Sequence, residues 1–138
     1  MNEGVFADLV AGQQETLVVD ISQKDVDAFM ALSGDASTVH IDDDYAKSRG
    51  FERRLVHGVF VASFISNLIG MQLPGKHGVL RILSCEFRKP CYAPNRLTLT
   101  GRVDSVVASL RIARLVIEVR DQAADLIVFA RAEVVLKL

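Results

Sequence analysis

"HGVFVASFISNLIGMQLPG", residues 57–75, decides the fold. A surface helix of a globular protein carries one apolar stripe and one polar face. Here apolar residues stand on nearly every face, which in a helix means burial all round. Pro74-Gly75 ends the run. The stretch from Val59 to Leu73 is broken by Ser63, Ser66, Asn67 and Gln72, so it is too short and too polar to span a bilayer. A helix of this kind needs other elements around it.

Those elements follow directly. Beyond Gly75 the period changes from helical to strand-like. Four runs rich in Val, Ile and Leu cover Val79 to Phe87, Leu97 to Val107, Leu110 to Val119 and Leu126 to Leu136. Turn residues separate the four: "APN" at 93–95, "AS" at 108–109 and "DQAAD" at 121–125. Short links between sequential strands predict an antiparallel meander. One long apolar helix followed by such a sheet predicts an α+β fold, with the helix wrapped by a curved antiparallel sheet.

Upstream of the helix, "TLVVDIS" predicts a short strand, Leu17 to Ile21. Ser22 is a helix N-cap candidate, with Asp25 three residues on in a weaker form of the capping box. Val26, Phe29 and Met30 keep helical spacing, and Gly34 suits the C-terminal cap. Asp35 to Ile41 is therefore a loop leaving a helix. "DDDYAKSRG", 42–50, predicts a second short helix, capped by Asp42 or Asp43 and stopped by Gly50. Its three aspartates read as an acidic first turn complementing the helix dipole rather than as a metal cluster.

The 138 residues suit one domain, 1–138. Half are hydrophobic and the mean hydropathy is +0.27, which is rich for this length and points to a homo-oligomer, a homodimer at least. A net charge of −1 gives no basic excess for nucleic acid and no polybasic signal for an anionic membrane. Cys85 and Cys91 form no CxxC pair and fit reduced thiols in a cytoplasmic protein. "MNEGVFADLV" has no basic region followed by an apolar one, so it does not read as a signal peptide.

The most chemically loaded loop is "SGDASTVHID", 33–42, with Asp35 and His40 on either side of four small or β-branched residues. Taken alone, Asp35 fits a turn after Gly34, and His40 fits a half-buried structural histidine. "SGDASTVHID", "FERRLVHGVFVASFISNLIG" and "LPGK", in this order and spacing, resemble the MaoC-like, (R)-specific enoyl-CoA hydratases, which have the hot-dog fold. The resemblance runs from about Val26 to about Pro90. It implies that Asp35 and His40 are the catalytic pair and that the Gly58 backbone N–H holds the thioester oxygen. It also implies that Ser66 belongs to the active-site wall and that Ile69 lines the acyl pocket. His57, beside Gly58, reads equally as a helix-entry imidazole bonded to backbone. Ser66 reads equally as a serine bonding back to its own turn.

The implied reaction adds water across the double bond of a trans-2-enoyl thioester to give the (R)-3-hydroxyacyl thioester, or reverses it. The thioester would hang on the pantetheine arm of coenzyme A or of an acyl carrier protein. A carboxylate and an imidazole can hold and deprotonate one water, and a helix N-terminus can stabilise the oxyanion. No metal or redox cofactor is required. Two departures stand out: Ser37-Thr38 replaces the family's Asn-Pro, and Arg54 stands where a proline often precedes Val-His-Gly. Without proline's fixed φ the Asp35–His40 loop is less constrained, and Ser37 is expected to replace the asparagine's local hydrogen bond only more weakly. The alternatives are a hot-dog thioesterase and a non-catalytic acyl-CoA-binding module.

Overall fold

The computed structural model describes residues 1–3 and 8–136. The N-terminal stretch read for a leader, residues 1–10, lies partly outside these. In chain order the elements are β1 (Gln14–Ile21), α1 (Gln23–Ser33), α2 (Thr38–Ile41), α3 (Asp43–Ser48) and α4 (Gly58–Met71). They continue with β2 (Gly78–Phe87), β3 (Asn95–Val107), β4 (Ile112–Arg120) and β5 (Leu126–Leu136). The short turn helix Ala108–Leu110 joins β3 to β4, so the third run begins at Ile112 rather than Leu110.

All five strands form one antiparallel sheet in the order β1-β3-β4-β5-β2. The expected meander holds only for β3, β4 and β5. β2 does not pair with its successor β3. It pairs with β5, Phe87 opposite Val128, and residues 88–94 carry the chain to the other side of the sheet. β1 then closes the far edge, with Leu17 opposite Leu99. Local periodicity reports which face of a strand is buried, but not which strand lies beside it.

α4 packs on the inner face of this sheet. Alternate residues of β3 and β4 point into the core, among them Leu97, Leu99, Val103, Leu115, Ile117 and Val119. They meet Val61, Ile65, Leu68 and Ile69 of α4. Gly101 marks the closest approach. A Cβ there would come within 2.9 Å of the Leu68 side chain, so the missing side chain makes room for the helix.

The helix is not buried all round. Ser63, Ser66 and Asn67 lie on an exposed face with Val59, 67 % exposed, and Met71, 46 % exposed. The apolar run satisfies the sheet on one side only. The edge strand β2 is bare as well, with Val79, Ile82, Leu83 and Phe87 all exposed. No helix among the described residues is long and apolar enough to cross a membrane.

Candidate active site

The loop after α1 is positioned by that helix's two caps. At the N-terminus the capping box is complete. The Asp25 N–H donates to Ser22 Oγ at 3.2 Å, and the Ser22 N–H donates to Asp25 Oδ2 at 2.8 Å. At the C-terminus Gly34 takes φ 77°, a left-handed conformation that suits glycine, and its N–H closes on the Met30 carbonyl. The chain leaves the helix there, and Asp35 is the next residue.

Asp35 is held by short-range bonds. Its N–H donates to Ser33 Oγ at 3.1 Å. Its Oδ1 accepts from the Ser37 hydroxyl at 2.5 Å and from the Ser37 N–H at 3.1 Å. The two bonds from Ser37, the hydroxyl's first, hold the Asp35 carboxyl below the usual carboxylate value. Ser37 thus supplies the local hydrogen bonding left open by the missing asparagine. The segment expected to be loop as far as Ile41 instead winds into the single turn α2, which carries His40. One turn is too short to show a helical period.

His40 Nδ1 lies 2.8 Å from the Leu55 carbonyl, which can only accept, so Nδ1 carries the hydrogen. In the neutral ring Nε2 is then an acceptor, and it sits 3.8 Å from Asp35 Oδ2. That gap is too long for a direct hydrogen bond and suits a water donating to both. The loop that supplies Leu55 is tied down on both sides. The Leu55 N–H donates to the Val39 carbonyl at 3.0 Å and the Val56 N–H to the Cys91 carbonyl at 2.9 Å. α3, capped by Asp42 Oδ1 on the Tyr45 N–H, anchors its start. Asp43 of α3 accepts the Arg54 N–H, so the aspartate run serves its own helix and this loop.

His57 follows, only 2 % exposed, and Gly58 opens α4. The first N–H groups of that helix have no acceptor within it. Gly58 and His40 both line a cavity of about 460 Å³ walled by Val59, Phe87, Arg88, Lys89 and Cys91. A Cβ on Gly58 would fall 2.8 Å from the Phe87 ring, so the glycine lets that ring close over the helix start. Burial pushes the Cys91 thiol up to about 11, which keeps it an unreactive thiol in the wall.

The structure therefore brings Asp35, His40 and Gly58 together. It does not bring Ser66 or Ile69 to this cavity. Ser66 lies on the exposed face of α4, and Ile69 is buried in the core behind it. Sequence reasoning passed over Phe87 and left His57 undecided. The one available signal for His57 was its place at the start of a helix.

Asp35, His40 and His57 offer three ligand atoms within 4.8 Å of one another, a number and type that could hold a metal. The geometry does not suit one. The two imidazoles are stacked at 3.8 Å with ring planes 24° apart. Metals bind imidazole in the ring plane at about 2 Å, and no point that close lies in both planes.

A five-stranded antiparallel sheet packed on one long helix, with an acid and an imidazole at that helix's N-terminus, defines a hot-dog protein. A sequence model of the MaoC like domain matches residues 7–124, and the chain belongs to that family. It is 34 % identical to the (R)-specific enoyl-CoA hydratase of Aeromonas caviae over 91 % of this chain and 94 % of that one. It is 32 % identical to the 3-hydroxybutyryl-CoA dehydratase of Methylorubrum extorquens, over 80 % of this chain and 70 % of that one. The solved structure of the A. caviae (R)-hydratase superimposes with a TM-score of 0.88, covering 94 % of this chain and 98 % of that one.

Proposed function

We propose that this protein is a hydratase/dehydratase that interconverts trans-2-enoyl thioesters and (R)-3-hydroxyacyl thioesters. Family membership supports the activity, and the (R) hand comes from the relatives. The observation that carries the reading is the 3.8 Å space between two acceptors, Asp35 Oδ2 and His40 Nε2, beside the open N-terminus of α4.

A water in that space donates to both atoms. Asp35 and His40 take one of its protons as its oxygen bonds to C3 of the enoyl chain. Charge shifts to the thioester oxygen, where the Gly58 N–H meets it. A donor so placed contributes about 3–4 kcal/mol. The proton is returned to C2, and the product is the 3-hydroxyacyl thioester. The reverse sequence expels water. This chemistry needs no metal or redox group.

The substrate is an acyl thioester of coenzyme A or of an acyl carrier protein. The two unbridged thiols, Cys85 and Cys91, support a reducing, cytoplasmic setting. We take the chain as one domain of this kind, working as a homodimer. The bare β2 edge and the exposed face of α4 support the second copy. Ser66 lies on that face, so its role in the substrate wall depends on a partner closing it.

The test is a panel of crotonyl-, hexenoyl- and longer enoyl-CoA, followed by loss of enoyl absorbance and chiral analysis of the product. Release of free thiol without alkene loss would instead make the protein a thioesterase. Ligand binding with neither would make it a binding module.

Two further outcomes are expected. Ser37→Ala removes the hydroxyl that does most to depress the Asp35 carboxyl. Asp35 must be ionised to accept a proton, so activity is lost as pH falls through its value. Raising that value moves the acid limb of the kcat/KM profile to higher pH, and a pH titration of the variant checks the direction. Ile69→Ala is expected to leave the chain-length profile of kcat/KM unchanged, because Ile69 sits in the core and not in the cavity wall. Because Ile69 is 2 % exposed, the variant instead loses about 2–5 kcal/mol of stability, read by denaturant unfolding.

A further inference from the structure

His57 is the one fully buried polar residue among those described, and it touches both members of the Asp35–His40 pair. Its Nε2 lies 2.8 Å from the backbone carbonyl of Asp35 and so donates to it. Its ring stacks on that of His40 at 3.8 Å, and Phe29 braces it edge-on at 5.0 Å. Its other nitrogen, Nδ1, is buried without a partner. A site that needed only a spacer would not leave a polar atom unsatisfied. What the imidazole adds over a phenyl ring is the bond to Asp35.

Asp35 is thus held at three points: its N–H by Ser33, its carboxylate by Ser37 and its carbonyl by His57. The first two restraints are local, from Ser33 at the end of α1 and from Ser37 just before α2. Of the three, only the His57 bond ties Asp35 to the entry of α4, and hence to Gly58; His40 is tied to the same segment through Leu55. Thr38, at the first position of α2, gives the loop no fixed φ of its own.

We propose that His57 is a positioning residue that registers Asp35 and His40 against the N-terminus of α4, in place of the rigidity a proline at position 38 would give. The inference rests on the hydratase reading above. It concerns geometry, since His57 Nε2 gives its hydrogen to the Asp35 carbonyl at 2.8 Å and stands farther, 4.0 Å, from Asp35 Oδ2. Displacements of about 1 Å at such a pair cost up to about 100-fold in rate.

The test uses His57→Phe, which keeps the ring and its stacking and removes the donor. A proline at 38 suits the structure, because the first helical N–H needs no intrahelical acceptor and Ser37 is already extended at φ −55°, ψ 140°. The expected result is a fall in kcat of about tenfold or more with KM within about twofold. Adding Thr38→Pro should recover at least about fivefold of that loss. Wild-type kcat in His57→Phe overturns the proposal. So does a fall as deep as that of Asp35→Asn with no recovery from Thr38→Pro, which would mean that His57 handles the proton itself. If circular dichroism shows His57→Phe unfolded, His57→Gln is judged by the same criteria. Asp35→Asn is measured in parallel: full activity there overturns the catalytic pair, whereas its loss beside an unaffected His57→Phe overturns the positioning role alone.

Discussion

Asp35→Asn is expected to reduce enoyl-CoA hydration at least about 100-fold while leaving the fold in place. The amide keeps the carboxylate's shape and can still accept from Ser37 through its oxygen. The atom turned toward His40, however, becomes an NH₂ group, so the water loses one of its two acceptors. Asp35 is exposed and outside the core, so the loss should appear in kcat with little change in thermal midpoint. His40→Ala is expected to do the same by removing the other acceptor. The double variant should be little worse than either single one, because the two groups act on one water as a unit. Single-turnover hydration of crotonyl-CoA measures all three. Near-wild-type activity in either single variant would remove the pair from the mechanism.

The second large effect concerns assembly. Cys85 packs toward the core from β2, and strand alternation puts Leu83 and Phe87 on the same face. Both are exposed, and Phe87 also covers Gly58 in the cavity wall. A partner joined at this edge would bury them and complete the wall. Leu83→Lys places a charge on an apolar edge, a device natural proteins use to keep strands apart. The variant is expected to sediment as monomer, to unfold at lower denaturant and to lose turnover in step, since no folded monomer need exist. Sedimentation of the unmodified protein should give a dimer or larger. A stable monomer with full turnover would contradict the assembly.

What was legible in the sequence was local. The Ser22–Asp25 cap, the Gly34 stop and the Asp42 cap are each written within four residues, so propensity and spacing reveal them. The Asp35–His40 pair was visible because a single loop holds both members. The strand order was not, because β1 joins β3 across more than seventy residues and nothing in either strand names its neighbour. The exposed face of α4 was missed because an apolar helix looks alike whether its sheet or a second chain covers it. That His57 bonds to backbone was one of its two readings at the helix entry; which carbonyl it reaches was hidden by distance, since that partner lies 22 positions back.

The sheet order also bears on how the chain is made. β3, β4 and β5, the contiguous centre of the sheet, are all synthesised after α4. When α4 leaves the ribosome, β1 is the only strand already made and has nothing to pair with. Val61, Ile65, Leu68 and Ile69 therefore meet water, or a chaperone, until about sixty further residues have followed. β2 is released early too, and waits for β5, its partner and the last strand to emerge. Chains halted before Leu126 should accordingly remain unstructured and prone to aggregate, and native structure should arise only once the C-terminal strand is free.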